Sequence, residues 1–156
     1  MNSLRWAFSL ATTTFSGIFY KFFYEQEIDW KKTYIICGNH TSNLDITAVI
    51  LLVKKNLVFM GKEDSKMSAF RAFKKAEESI LAGKNVVIFP EGMISEHYPP
   101  ELQPFKNGPF KLAIEHGIPI LPITIFNNWE LMWDDGARYG SKPGICDIYI
   151  HAPIET

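Results

Sequence analysis

The sequence has little of the material from which several common classes of protein are built. Only two cysteines, Cys37 and Cys146, occur among its 156 residues, with neither a CxxC pair nor a Cys/His spacing suited to zinc. A disulfide framework and a structural metal site are therefore not indicated, and a reducing compartment fits best. The net charge of −1 is too balanced for a protein that binds duplex nucleic acid by neutralising phosphates.

What the sequence does contain is enough apolar material for one domain. Hydrophobic residues make up 47% of the chain and charged residues 21%, with no internal repeat or linker, which predicts a single globular fold. The one block with an excess of positive charge lies between residues 54 and 84, where eight basic residues stand against four acidic ones. This block could face a phosphate ligand or an anionic lipid surface, or could be a solvated helix face.

The N-terminal segment is rich in aromatic residues but lacks a long apolar run. The uncharged stretch at residues 6–20 has 15 residues, fewer than the roughly 20 that a membrane-spanning helix needs. Aromatic side chains favour the headgroup boundary, so we expect residues 1–24 to form a membrane-interface helix and residues 25–156 the main domain. The alternatives are a helix whose aromatic face packs on the domain, and a secretory signal that would lack a cleavage site.

The rest of the chain alternates short apolar runs with helical periodicity, which indicates an α/β fold. Two prolines, Pro119 and Pro122, predict that the strand at residues 118–126 is an edge strand or is irregularly paired. In such folds ligand sites lie beyond the carboxyl ends of strands, which here points to the loops at 38–45 and 90–95. We expect strands at 34–37, 57–60, 85–89, 118–126 and 145–150, and helices at 44–54, 67–82 and 109–116.

The first of these loops holds two residues that suit general base catalysis. Asp45 begins the helix that follows His40, so its carboxylate could accept a hydrogen bond from one imidazole nitrogen and leave the other free to take a proton. A helix-start aspartate beside a loop histidine also occurs for purely structural reasons. Cys37 or Ser42 as a nucleophile rests on proximity alone, and a metal site from His40, Asp45, Glu91 and His97 has no supporting spacing.

Four ordered segments resemble the glycerolipid acyltransferases. Residues 39–45, NHTSNLD, resemble the HxxxxD motif of that family, and residues 89–92 match its FPEG motif. Residues 105–113, FKNGPFKLA, and residues 117–123, GIPILPI, resemble two further segments that follow FPEG in the family. The resemblance extends over residues 34–126, and the segments look like those of bacterial 1-acylglycerol-3-phosphate acyltransferases.

The resemblance implies a fold and a reaction. It implies a mixed, largely parallel sheet flanked by helices, and acyl transfer from acyl-CoA or acyl carrier protein to lysophosphatidic acid, giving phosphatidic acid in phospholipid synthesis. His40 would be the general base and Asp45 would orient it. The thioester supplies the driving energy, so the resemblance implies neither a metal nor another cofactor.

The resemblance also implies binding residues and a location. Pro90, Glu91 and Gly92 would correspond to the acceptor-binding motif, and Lys62 to a family lysine near the site. Members of the family dock on the cytoplasmic face of the membrane, which implies a peripheral or monotopic protein with membrane lipid as its partner and no nucleic acid.

The chain departs from the family pattern in the region between the two main motifs. The family segment GxxFIxR, whose arginine binds the acceptor phosphate, has no counterpart, and Arg71 lies on the following helix instead. Met93 and Ile94 occupy positions where the family commonly has threonine and arginine. A catalytically silent lipid- or acyl-carrier-binding relative is therefore the alternative hypothesis, and a hydrolase that activates water is a third.

Overall fold

The computed structural model describes residues 2–53, 56–61, 66–133 and 136–156. Helices and strands alternate along most of the chain, as the apolar pattern predicts. In chain order the elements are α1 (Asn2–Ser16), β1 (Ile18–Tyr24), β2 (Ile35–Gly38), α2 (Leu44–Val53), β3 (Leu57–Phe59), α3 (Lys66–Leu81), β4 (Asn85–Ile88), α4 (Gly108–His116), β5 (Ile120–Ile125), α5 (Asn128–Leu131) and β6 (Gly144–Ile150).

The strands form one sheet in the order β1-β6-β5-β2-β4-β3. Only β5 and β6 pair antiparallel, and every other neighbouring pair is parallel. The predicted mixed, largely parallel sheet is therefore confirmed. Because β6 runs against β5, the first residues of β6 and of its parallel neighbour β1 lie at the edge where β2, β4 and β5 end.

The central strands are buried on both faces. Ile36 and Val87 pack with Ala48 and Val49 of α2 on one face, whereas the adjacent residues Ile35 and Val86 pack with α3 and α4 on the other. Successive side chains of a strand point to opposite faces, so a strand covered on both sides must be apolar throughout. This is why residues 34–37 and 85–89 read as continuous apolar runs rather than alternating ones.

The N-terminal helix is shorter than predicted. It ends at Ser16, and Ile18–Tyr24 forms an edge strand that pairs parallel with β6 along its whole length. The expectation of a single helix over residues 1–24, separate from the domain, is thus corrected by the backbone pairing of β1. Gly17 makes the abrupt change possible, because its φ of 68° lies in the left-handed region that glycine adopts without strain.

Strand β5 is an interior strand, so the edge position that its prolines allow is wrong, whereas the irregular pairing they also predict is present: β6 pairs with β5 only from Ile123, and Ile120 forms an isolated bridge with Ile154. The N–H and C=O of Ile120 both form hydrogen bonds with the main chain of Ile154. Residues two apart in a strand direct their N–H and C=O groups to the same side, so the N–H that Pro122 lacks would also point to that side. On that side lie residues 151–153, which follow the end of β6, and the Pro122 carbonyl still accepts a bond from the His151 N–H. The N–H that Pro122 lacks would therefore point past the end of β6, where no strand hydrogen bond is lost.

Helix α1 carries its large apolar side chains outward. Phe8 is 69% exposed and Phe15 93%, whereas the small polar residues Ser9 and Thr13 are buried against the protein. The alternative in which the aromatic face of this helix packs on the domain is therefore wrong for Phe8 and Phe15. No helix in the described part of the chain has the length and apolar character needed to cross a membrane.

Candidate active site

The two loops singled out in the sequence meet at one edge of the sheet. They follow β2 and β4, which are parallel neighbours with Cys37 opposite Ile88, so their carboxyl ends lie side by side. The N–H of His40 donates to Oε1 of Glu91 at 2.7 Å and joins the loops directly. Asn39 fastens the first loop to β5, since its amide exchanges two hydrogen bonds with the main chain of Ile125.

His40 and Asp45 form the hydrogen bond that their spacing predicts. Nδ1 of His40 lies 3.0 Å from Oδ2 of Asp45, whose side chain is fully buried while that of His40 is 16% exposed. The N–H groups of Thr41 and Ser42 donate to the same oxygen. Because a carboxylate only accepts, Nδ1 carries the proton and Nε2 is left with its lone pair.

A third residue completes this arrangement from a distant part of the chain. Nδ2 of the buried Asn128, in α5, donates to Oδ1 of Asp45 at 2.8 Å. Both carboxylate oxygens are thus held, and the aspartate has no freedom to turn away from the imidazole. Asn128 was absent from the sequence interpretation because it lies 83 positions from Asp45 and belongs to none of the motifs.

The imidazole ring is also fixed from one side by stacking. The ring of Phe89 lies parallel to that of His40, with centroids 4.1 Å apart and planes 11° apart. Phe89 is the first residue of the FPEG segment, so the two main motifs meet at the histidine through this contact as well as through Glu91. The stacking partner supports ring orientation without competing for Nε2, which forms no hydrogen bond with the described residues.

Glu91 is buried and fully engaged by main-chain donors. Its Oε1 accepts from the His40 N–H and its Oε2 from the Gln103 N–H, each at 2.7 Å, and the residue is 4% exposed. Of the three FPEG residues expected to bind the acceptor, Pro90 and Gly92 line the cleft described next, but Glu91 does not. The geometry of Glu91 is that of a brace between loops.

Beside His40 a cleft of about 590 Å³ opens at the edge of the sheet. Its walls are largely apolar, with contributions from Ile46, Phe59, Met60, Phe73, Ile88 and Met93. The charged residues of its lining are Glu96, Lys106 and, when protonated, His40. Lys62, predicted near this site, lies outside the described residues.

The candidate nucleophiles are placed unfavourably. Burial raises the pKa of the Cys37 thiol to about 12, so the reactive thiolate is disfavoured. Ser42 is fully buried, and its hydroxyl accepts from the Leu44 N–H at the start of α2. Neither residue lines the cleft.

Comparison with known proteins agrees with the motif resemblance. A sequence model of the family described as "Acyltransferase" matches residues 64–126. The chain is 29% identical over 150 residues to a 1-acyl-sn-glycerol-3-phosphate acyltransferase of Saccharomyces cerevisiae, covering 81% of this chain and 48% of that protein. It is 33% identical over 95 residues to one of Borreliella burgdorferi, covering 60% and 36%.

A solved structure has the same fold. The 1-acyl-sn-glycerophosphate acyltransferase PlsC of Thermotoga maritima matches with a TM-score of 0.76 at 23% identity, over 99% of this chain and 68% of that one. The resemblance to the glycerolipid acyltransferases stated from the motifs is thereby confirmed. The chain spans about half the length of the curated relatives that it matches.

Proposed function

We propose that the protein transfers an acyl chain from acyl-CoA or acyl carrier protein to the free hydroxyl of 1-acylglycerol-3-phosphate, giving phosphatidic acid for phospholipid synthesis. The observation that supports this most directly is the His40–Asp45 hydrogen bond beside an apolar cleft. The names of the relatives, all 1-acyl-sn-glycerol-3-phosphate acyltransferases, supply the substrate class.

In the proposed reaction Nε2 of His40 removes the proton of the acceptor hydroxyl as its oxygen attacks the thioester carbonyl. The tetrahedral intermediate then collapses, so that the new C–O bond remains and the C–S bond breaks. The departing thiolate takes up the proton held by the imidazolium, which returns the base to its starting state. Asp45 stabilises the imidazolium and keeps the proton on Nδ1.

The cleft suits the hydrocarbon part of the substrates. Burying an acyl chain against apolar side chains such as Phe59, Phe73 and Ile88 gains about 0.8 kcal/mol per methylene group. Because the acyl chains of both substrates would be held in the cleft, the acceptor hydroxyl and the thioester would meet beside His40. The reaction would then gain the rate advantage of an intramolecular step. No metal or redox cofactor is part of this proposal, since the thioester is already activated.

The reaction is tested by thiol release from palmitoyl-CoA, with purified protein in detergent, in the presence and absence of lysophosphatidic acid. We expect release that depends on the acceptor, and a fall to background in His40→Ala, whose folding is checked by circular dichroism. The matched control is His97→Ala, which changes an exposed histidine outside the cleft lining.

Other outcomes separate the competing hypotheses. A folded protein that binds lysophosphatidic acid without any thiol release would be the catalytically silent relative. Free fatty acid released at the same rate with and without acceptor would indicate a hydrolase. An unchanged rate in His40→Ala would contradict the role given to that residue.

We further propose that α1 and the mouth of the cleft face a membrane surface, on its cytoplasmic side, with the protein attached peripherally. The outward Phe8 and Phe15 give α1 an apolar face that no described part of the protein covers. Gly17 at the end of α1 packs on Pro143 and bonds Gly144 at the start of β6, which is the sheet edge where the cleft opens. A lipid substrate could then enter without crossing water.

Attachment is measured by sedimentation with phosphatidylglycerol-containing vesicles. Replacing Phe8 and Phe15 together by serine should release the protein from vesicles while leaving thiol release from detergent-soluble substrates near its original rate, because neither side chain lines the cleft. Binding that is unaffected by this double change would contradict the orientation.

A further inference from the structure

Lys106 is a cation in the cleft that the proposed reaction has not used. Its main-chain N–H donates to the Pro90 carbonyl at 2.9 Å, which ties the base of the side chain to the FPEG loop. The side chain then crosses the face of Gly92. A β-carbon added at position 92 would collide with the Lys106 ammonium and lie 3.0 Å from its Cε, so glycine leaves the space that the ammonium occupies.

The ammonium has no counter-ion among the described residues. The ion pairs of the described ranges involve Lys32, His40, His116 and His151, and none includes Lys106. An ammonium held against a loop beside a catalytic base, without a carboxylate partner, is suited to an anionic ligand that arrives with the substrate.

We infer that Lys106 binds the phosphate group of the acceptor. This inference rests on the proposed function, because the acceptor is taken to be a lysophospholipid whose one charged group is a phosphate. The residue itself is exposed whereas the apolar walls lie around it, so an amphiphile would place its phosphate at the mouth and its chain inside. Lys106 is also the one lysine or arginine that lines the cleft within the described ranges.

The neighbouring basic residues are less well placed. Arg71 and Lys75 line a separate recess of about 210 Å³ between α3 and the edge of the sheet. That recess shares Phe59, Met60 and Gly61 with the cleft but does not include His40. A phosphate bound there would occupy a recess that the candidate base does not line.

The test compares two ligands that differ only in the phosphate: a short-chain lysophosphatidic acid and the monoacylglycerol of the same chain. Their dissociation constants are measured by calorimetry in the His40→Ala background, which prevents turnover, with Lys106 intact, replaced by alanine, or replaced by arginine. Lys111→Ala, on the exposed face of α4 and outside the cleft, is the matched control.

Lys106→Ala should weaken binding of lysophosphatidic acid roughly 10- to 100-fold, the range expected for one charge-assisted contact, and leave monoacylglycerol binding unchanged. Lys106→Arg should retain most of the affinity. In the active protein Lys106→Ala should raise the KM for lysophosphatidic acid and leave kcat nearly unchanged.

Three outcomes would overturn the inference. These are unchanged affinity for lysophosphatidic acid, an equal loss for both ligands, or a rise in the KM for acyl-CoA in place of the acceptor, which would put the ammonium on the phosphates of the donor. Failure of the proposed function looks different: wild-type protein that binds lysophosphatidic acid through Lys106 but never releases thiol would retain the phosphate site and lose the reaction.

Discussion

Two buried carboxylates, Asp45 and Glu91, stand on either side of the candidate base, and they act on it in different ways. Asp45 bonds the imidazole ring, and its remaining oxygen is held by Asn128. Glu91 bonds only main-chain N–H groups, one from His40 and one from Gln103. Asp45 fixes which nitrogen of the ring is protonated. Glu91 fixes the position of the His40 main chain, and thereby the position of the ring.

The difference shows that a short motif can combine residues of unlike purpose. The aspartate of the HxxxxD segment bonds the side chain of the candidate base itself. The glutamate of the FPEG segment instead joins the loop after β4 to the loop after β2, with Phe89 stacked on the ring beside it. Substitutions that preserve shape but change the hydrogen-bonding pattern distinguish these two contributions.

The largest effect is expected from Asp45→Asn. The imidazole and the N–H groups of Thr41 and Ser42 all donate to Oδ2, so an amide N–H₂ group at that position would face three donors. An N–H₂ group at the Oδ1 position would face Nδ2 of Asn128, and in either orientation the uncharged amide no longer stabilises an imidazolium. We expect kcat for acyl transfer to fall roughly 10³- to 10⁴-fold with circular dichroism unchanged. A rate within tenfold of the wild type would show that the carboxylate is a structural cap for α2 and not an orienting group.

A smaller loss is expected from Glu91→Gln. One oxygen can still accept, but the new amide N–H₂ group faces a main-chain donor, so the loops separate slightly and the base is misplaced. We expect kcat to fall about 10- to 100-fold with the KM for lysophosphatidic acid nearly constant. Glu101→Gln, an exposed carboxyl on the same loop, serves as the control.

The split between kcat and KM decides the role of Glu91. A rise in the acceptor KM at constant kcat would mean that Glu91 contacts the acceptor, as the motif resemblance implies, in a conformation that opens on binding. A fall in kcat alone would support the brace between loops.

The smallest effect on rate is expected from Asn128→Ala. Removing the amide leaves Oδ1 of the fully buried Asp45 without that donor, which should lower the free energy of unfolding by about 1–3 kcal/mol. The urea midpoint should fall with an unchanged m value, and kcat should fall less than in Asp45→Asn because Nδ1 of His40 keeps its partner. Unchanged stability would show that water replaces the amide.

The prediction from sequence succeeded where the signal is local. Apolar runs and their periodicity located β2, β4, α2 and α4 to within a residue or two, because burial on both faces or on one helical stripe is visible in consecutive positions. The spacing of His40 and Asp45 sufficed for their contact, since only a short loop separates His40 from Asp45 in the first turn of α2. Residues 18–24, by contrast, were assigned to a helix, because an aromatic-rich run lacks a distinct period.

Where the prediction failed, the deciding partner is distant in the chain. The prolines of β5 predicted an edge strand or irregular pairing; the strand is interior, and its pairing is irregular on the side where the missing donor faces the residues after β6. Lys106 is visible in the sequence only as part of the FKNGPFKLA segment, since nothing in its sequence neighbourhood shows that it lies against Gly92.

The sequence alone determined the α/β class, the resemblance to the glycerolipid acyltransferases and the pairing of His40 with Asp45, because each depends on residues close together in the chain or on motif order. Only the tertiary structure decided that Glu91 is sealed between two backbone donors, that Asn128 holds Asp45, and that Lys106 shares a cleft with the base. These contacts join segments 12 to 83 positions apart, or meet across a sheet edge. Their geometry is set by strand order and packing, which no local pattern specifies.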